Sequence, residues 1–200
     1  MGQRAALLVV DIQNDFCPGG SLGVPDGDAV IPPVNRALAL FKRRGWPVIF
    51  TRDWHPRETK HFKEFGGAWP PHCIQGTKGA RFHSDLEVPK ASLILSKGMD
   101  PEVDSYSAFQ AFTERGRDLE STLHELDVDE LIICGLATDY CVRATTLDAL
   151  RRGMAVFVLR DAIRGVDLKP GDSEMAVKEM RVHGAHFSES RGLPKLLPKD

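Results

Sequence analysis

Residues 131–142, Leu-Ile-Ile-Cys-Gly-Leu-Ala-Thr-Asp-Tyr-Cys-Val, decide which fold this sequence can adopt. The apolar run at 131–134 is typical of a buried strand. A helical pattern follows Cys141, so the chain turns between Gly135 and Thr138. A strand that leads through a short turn into a helix predicts an α/β protein.

Cys141 lies in the first turn of this predicted helix, where backbone N–H groups have no intrahelical partner. The positive end of the helix dipole favours an anion there, which biases the thiol toward thiolate. Cys141 is therefore a candidate nucleophile. The alternative is a small buried hydrophobe, which is the commonest role of a free cysteine, so the residues around it must decide.

The chain has 200 residues, 42% of them hydrophobic, and a formal net charge of -2. This composition predicts one globular domain over residues 1–200 with a substantial core. We expect no nucleic acid partner and no membrane, because there is no basic stripe and no apolar run approaches the roughly 18 residues that span a bilayer. A cytoplasmic protein with reduced thiols is expected, since the N-terminus lacks a signal-peptide pattern and the cysteines form no CxxC motif.

Strands and helices alternate along the chain. Apolar runs predict strands at 5–10, 47–51, 92–96, 131–134 and 155–159, with an edge strand at 185–187. Helical spacing predicts helices at 30–41, 119–126, 142–152 and 173–183, the last capped by Asp172. The alternation predicts a single-domain α/β fold: a doubly wound, mostly parallel sheet with helices on both faces, in a Rossmann-like three-layer arrangement.

Several polar residues follow the predicted strands directly. Asp11, Asp53 and Lys97 lie at strand ends, and Cys141 opens the helix after another strand. Because ligands of such sheets bind beyond the carboxyl ends of the strands, these groups should collect in one crevice. A carboxylate can take the proton of a thiol, and an ammonium stabilises the resulting ion pair. Taken singly, Asp11 could instead satisfy a helix N-terminus and Lys97 could be solvated.

A second group of polar residues suggests a metal site in the long irregular loop at 54–90. Asp53 and His55 point to the same side of an extended segment, and the loop can return His61 and His72 toward them. Imidazoles with a carboxylate suit Zn²⁺, Fe²⁺ or Mn²⁺. The alternative for each histidine is ordinary polar surface.

Three aromatic residues in loops near the crevice, Phe16, Trp69 and Tyr106, could hold a flat ligand. Packing of the loops against the core is the alternative for each of them.

Four motifs together resemble those of the nicotinamidase/pyrazinamidase family in the isochorismatase-like cysteine hydrolase superfamily, and the resemblance extends over nearly the whole chain. They are Asp-Ile-Gln-Asn-Asp-Phe at 11–16, Asp53-x-His55 with His61 and Trp-Pro-Pro-His-Cys at 69–73, Lys97-Gly98, and Gly-Leu-Ala-Thr-Asp-Tyr-Cys-Val at 135–142. Where several relatives carry a histidine before the nucleophilic cysteine, this chain has Tyr140.

The resemblance implies that Cys141 is the nucleophile, Asp11 the general base and then acid, and Lys97 the third catalytic residue. It also implies a cis peptide bond between Leu136 and Ala137, with the Ala137 and Cys141 N–H groups forming an oxyanion hole.

It further implies one divalent metal ion, Zn²⁺ in the first place, with Fe²⁺ or Mn²⁺ as alternatives. The family pattern assigns Asp53, His55 and His72 as ligands and His61 as a ligand that only some members use. The expected substrate-binding residues are Phe16, Trp69, Tyr106, Leu136 and Ala137.

The resulting hypothesis is a small-molecule amidohydrolase that converts nicotinamide, and also pyrazinamide, to the acid and ammonia through a thioester. The metal would bind the pyridine nitrogen. One alternative is a related hydrolase acting on biuret or an N-carbamoyl acid, or the isochorismatase branch, which works without this thiol. The other is a non-catalytic binding protein with a structural metal. A homo-oligomer is compatible with the sequence.

Overall fold

The computed structural model describes residues 4–197, so residues 1–3 and 198–200, with which the predicted domain begins and ends, lie outside the described part. The strands are β1 (Ala5–Val10), β2 (Val48–Asp53), β3 (Leu93–Lys97), β4 (Glu130–Leu136), β5 (Ala155–Arg164) and β6 (His186–Ser188). The α-helices are α1 (Ile31–Arg44), α2 (Leu119–Glu125), α3 (Arg143–Arg151), α4 (Asp172–Val182) and α5 (Leu193–Leu196), and a π-helical turn at Thr138–Val142 leads into α3.

The six strands form one sheet in the order β3-β2-β1-β4-β5-β6, and every pair is parallel. The predicted α/β fold is confirmed, with an all-parallel sheet where a mostly parallel one was expected. All six residues of β1 are buried, which explains its uninterrupted apolar sequence.

Hydrophobic layers cover both faces of the sheet. Leu7 and Val9 of β1 face the layer that contains α1, whereas Leu8 and Val10 face the layer built with α2, α3 and α4. This alternation follows from the two-residue period of a strand. Among residues 4–197, no helix combines the length and the apolar character needed to cross a membrane.

Three strands continue by two residues or more past the apolar runs from which they were predicted. β2 extends to Asp53 and pairs there with Lys97, while β4 extends to Leu136 and pairs with Arg164 of the lengthened β5. Polar residues at the ends of β2 and β5, and Gly135 in β4, obscured these boundaries in the sequence. The prediction that Asp172 caps the last helix is wrong: Asp172 is its first residue, and Gly171 precedes it with φ +92°.

The chain reverses its direction of winding between β1 and β4, which are neighbours in the sheet. β1 is followed by α1 on one face and β4 by α3 on the other. Gly135 permits the close approach of these strands, because its φ is +116° and a Cβ there would overlap the Val10 carbonyl. A crevice therefore opens beyond the carboxyl ends of β1 and β4.

Candidate active site

Asp11, Lys97 and Cys141 form a buried group that we call the strand-end cluster. Asp11 directly follows β1, Lys97 is the last residue of β3, and Cys141 lies in the π-helical turn after β4. Asp11 and Lys97 are 0% exposed and Cys141 is 6% exposed. The sheet topology thus brings together the three residues that the sequence predicted to meet.

Lys97 is the centre of this cluster. Its Nζ lies 2.9 Å from Asp11 Oδ2 and 3.4 Å from Cys141 Sγ, and it also pairs with Asp53 Oδ1. The ligand atoms of Asp11, Asp53 and Cys141 all lie within 4.8 Å of one another. The Lys97 ammonium supplies these three groups with the positive charge that a metal ion would otherwise provide.

The protonation of the strand-end cluster is set by burial and by Lys97. Burial raises the pKa of Asp11, against the opposing effect of Lys97 and of the Thr51 hydroxyl, which donates to Asp11 Oδ1 at 2.7 Å. Burial likewise raises the pKa of the Cys141 thiol well above its usual value, and Lys97 opposes this rise. Burial thus opposes the bias toward thiolate that the helix start predicts for Cys141.

Asp53 connects the strand-end cluster to the histidines of the long loop. Its Oδ1 faces Lys97, whereas its Oδ2 lies 3.7 Å from His55 Nε2 and 3.9 Å from His72 Nε2. Burial alone would raise the pKa of Asp53, but Lys97 and the two histidines bring it well below its usual range. Asp53 is thus an anion with one oxygen available to each side.

His55, His61 and His72 each offer a ring nitrogen within 4.8 Å of the others, and all three side chains are buried. We call residues 54–90, which carry them, the histidine loop. The second ring nitrogen of each histidine has a fixed acceptor: Nδ1 of His55 contacts the Gly98 carbonyl at 3.0 Å, and Nδ1 of His72 contacts the Pro70 carbonyl at 2.7 Å.

His61 Nδ1 contacts the Asp104 carboxylate at 2.5 Å in the same way. Because carbonyl and carboxylate oxygens accept, each Nδ1 carries the proton and each Nε2 presents a lone pair. Burial lowers the pKa of His72 to about 4 and also lowers that of His61, which keeps both imidazoles in the neutral form that binds metals.

The buried Nε2 of His55 has no hydrogen-bond partner in the described structure. An orphaned acceptor beside two further imidazoles and a carboxylate oxygen fits a divalent ion. The site can therefore hold a metal through His55, His61, His72 and Asp53.

A cavity joins the strand-end cluster to the histidines. Its lining comprises Phe16, Leu22, Asp53, His61, Trp69, His72, Tyr106, Ala137, Tyr140, Cys141 and Val166. Trp69 Nε1 donates to the Tyr106 hydroxyl at 2.9 Å, and the Tyr140 ring meets Trp69 edge-on at 4.9 Å. The cavity is thus walled by aromatic rings, as a flat ligand requires.

Most of the substrate-binding residues predicted from the sequence line this cavity, with one exception. The peptide bond between Leu136 and Ala137 is cis, and Ala137 lines the cavity. The Leu136 side chain instead packs in the hydrophobic core beside Gly27. Its apolar character suits the buried end of β4 and does not bring it to the cavity.

Sequence reasoning missed Leu22, Val166 and Asp104. Leu22 and Val166 line the cavity from loops without a recognisable pattern, and Asp104 is one of several acidic residues in an irregular segment. None of the three carries a local signal of its contact. Tyr140 also lines the cavity, and its position next to Cys141 was a usable signal.

Comparison with known proteins finds similarity over almost the whole chain. The profile of the isochorismatase domain matches residues 5–191. Nicotinamidase from Escherichia coli is 42% identical over 196 residues, which cover 90% of this chain and 92% of that protein. Nicotinamidase/pyrazinamidase from Mycobacterium tuberculosis is 39% identical over 179 residues, 88% of this chain and 94% of that protein.

The fold is also close to a solved structure. The crystal structure of Pyrococcus horikoshii pyrazinamidase in complex with zinc matches with a TM-score of 0.86 and 46% identity. The match covers 93% of this chain and 99% of that chain.

Proposed function

We propose that this chain, which belongs to the isochorismatase family, is a nicotinamidase that hydrolyses nicotinamide to nicotinate and ammonia and acts on pyrazinamide in the same way. The observation that carries the proposal is the contact of Lys97 Nζ with Cys141 Sγ, at 3.4 Å, in a cavity that His61 and His72 also line. Similarity to the nicotinamidases of Escherichia coli and Mycobacterium tuberculosis supports the choice of substrate.

The first half of the reaction adds the Cys141 sulfur to the carboxamide carbon. Asp11 takes the thiol proton as sulfur attacks the carboxamide carbon, and the N–H groups of Ala137 and Cys141 stabilise the oxyanion that forms. A base assists this step because burial raises the pKa of the Cys141 thiol. The raised pKa of Asp11 makes it a stronger base for that step. Lys97 stabilises the thiolate as it develops.

The second half releases ammonia and then the acid. Asp11 delivers the proton to the departing nitrogen as the C–N bond breaks, leaving a thioester on Cys141 and free ammonia. Asp11 then takes a proton from a water that attacks the thioester, and returns it to the sulfur when the C–S bond breaks. The thiol proton leaves with ammonia and a proton from the water replaces it, so the site is restored after each turnover.

Asp53, His55, His72 and His61 are the residues that would hold the metal, and zinc is the ion we assign because the Pyrococcus horikoshii relative was solved with it. A bound ion would supply a Lewis-acid point for the ring nitrogen. Phe16, Trp69 and Tyr106 pack against the flat ring and orient the carboxamide carbon toward Cys141. We assign the protein to the cytoplasm, and a homo-oligomer remains a prediction.

An amide panel tests the proposed function. Ammonia release is measured from nicotinamide, pyrazinamide, biuret and an N-carbamoyl amino acid, with and without added divalent ions. We expect release from the two aromatic carboxamides and none from the aliphatic amides. Hydrolysis of biuret or the carbamoyl acid, with nicotinamide untouched, would assign the chain to the related small-amide hydrolases instead.

A further inference from the structure

Asp139 lies two residues before Cys141 and belongs to no step of the reaction above. Its side chain is 9% exposed, and its carboxylate accepts two backbone hydrogen bonds: Oδ1 from the Val166 N–H at 2.9 Å and Oδ2 from the Asp167 N–H at 2.8 Å. One carboxylate therefore ties the π-helical turn of the nucleophile to the segment that follows β5.

The same segment is held from its other side by α4. Asp167 accepts hydrogen bonds from the Ser173 N–H at 2.8 Å and from the Ser173 hydroxyl at 2.7 Å. Gly165 fits tightly between these contacts, since a Cβ there would overlap the Ser173 hydroxyl and approach Asp139. Residues 165–167 thus bridge the nucleophile turn and α4.

Val166 is the residue of this bridge that reaches the cavity. It lines the cavity together with Leu22, Ala137 and Cys141, and it also packs against the core. The position of its side chain relative to the sulfur depends on its own backbone, which Asp139 holds. The position of the Val166 side chain is therefore fixed by the hydrogen bonds of Asp139 as well as by apolar packing.

We propose that Asp139 is a specificity-determining positioning residue, which fixes Val166 as a wall of the cavity and thereby limits the size of the aromatic ring that can bind beside Cys141. This inference rests on the proposed function for the class of ligand, an aromatic carboxamide or its acid. Asp139 itself touches neither the ligand nor the reacting atoms. Its effect is expected in the ratio of affinities for small and substituted rings.

The test uses the zinc-loaded protein and four variants: Val166→Ala, Asp139→Asn, the double variant, and the control Asp118→Asn. Asp118 also accepts a backbone hydrogen bond, from the Ser121 N–H, but it caps α2 and does not line the cavity. Dissociation constants of nicotinate and of ring-methylated nicotinates are measured by calorimetry. The measurement of these constants does not require turnover.

We expect Val166→Ala to lower the discrimination against methylated rings by about tenfold, the lower end of what one methylene contributes in an apolar pocket. Asp139→Asn should lower it by about threefold or more, because the amide keeps one acceptor and turns a donor toward the other N–H. The double variant should discriminate no less than Val166→Ala alone, since both changes act through one wall. Asp118→Asn should leave the ratio unchanged.

Equal weakening of all ligands by Asp139→Asn, no change at all, or additive effects in the double variant would overturn the inference. Asp139→Ser serves as a second variant and should act in the same direction. If neither folds while Asp118→Asn does, the carboxylate is a stability element and the inference is wrong. Ammonia release by the wild type with an unaltered ratio in Asp139→Asn overturns only the inference, whereas a wild type that neither binds nicotinate nor hydrolyses nicotinamide overturns both.

Discussion

The strand-end cluster and the histidine loop meet in one cavity but are built in different ways. Asp11 and Lys97 are placed by strands β1 and β3, and each contacts an opposite charge. His55 and His72 lie in irregular chain, and each is oriented by a backbone carbonyl that accepts from its Nδ1. Bond making thus depends on the sheet, whereas metal binding depends on the loop.

Asp53 is the residue that the two regions share. It ends β2, pairs with Lys97 through one oxygen and faces His55 and His72 through the other. Changes on either side of Asp53 should therefore separate chemistry from metal binding. The predictions below test that separation, beginning with the largest effect.

Replacement of Cys141 by alanine should reduce ammonia release by about 10⁴-fold or more, because the nucleophile is removed. The zinc content, measured by atomic emission, should stay unchanged, since no histidine contacts are altered. Cys17→Ala is the matched control: burial raises the pKa of that thiol to about 11, and its loss should preserve turnover. Retained ammonia release in Cys141→Ala would exclude the thioester scheme.

Replacement of His72 by alanine should weaken zinc binding by more than about 100-fold, which exceeds the usual loss from altering an outer partner. The rate at which iodoacetamide alkylates Cys141 should not change. His83→Ala, in the same histidine loop but outside the cavity lining, should retain the metal. Equal zinc affinity in the wild type and His72→Ala would remove this residue from the metal site.

Asp104→Asn should lower the zinc affinity by about 10-fold, because His61 Nδ1 loses its charged acceptor. Asp100, which accepts from the Glu102 N–H in the same segment, provides the control Asp100→Asn. Competition with a chromogenic chelator measures both. Unchanged affinity in Asp104→Asn would mean that His61 does not ligate the ion.

Thr51→Val should move the acidic limb of kcat/KM to higher pH by about one unit or less. Activity requires ionised Asp11, so it falls as the pH decreases through the pKa of that group. The Thr51 hydroxyl lowers this pKa, and its removal raises it further. Thr122→Val, which removes a hydroxyl bonded to the Asp118 carbonyl, should leave the limb in place. A limb that moves to lower pH in Thr51→Val would argue against Asp11 as the base.

The sequence predicts the strand-end cluster better than the surroundings of the histidines. Parallel strands carry their terminal residues to one edge, so the convergence of Asp11, Lys97 and Cys141 follows from topology alone. The charge environment of Cys141 does not follow from topology. The helix start predicts a thiolate, but the pKa of the thiol also depends on burial, which no local sequence pattern reveals.

The contacts of the histidine loop show more clearly what the sequence cannot predict. His61 and His72 were predicted as possible ligands from their residue type and proximity in sequence. The contact of His61 with Asp104 joins residues 43 positions apart, and Val166 reaches the cavity through a backbone that Asp139 holds. Such contacts between irregular segments arise only after the whole chain has folded, and periodicity carries no information on them.

The most direct test of the account is the identification of the covalent intermediate. Zinc-loaded protein is mixed with nicotinamide, quenched in acid within one turnover, digested and analysed by mass spectrometry. We predict a nicotinoyl group on Cys141, assigned by fragmentation of its peptide, and no adduct on Cys17, Cys73 or Cys134. Turnover with no acyl adduct on Cys141, or with the adduct on another residue, would contradict the convergence of nucleophile, base and ammonium at the strand ends.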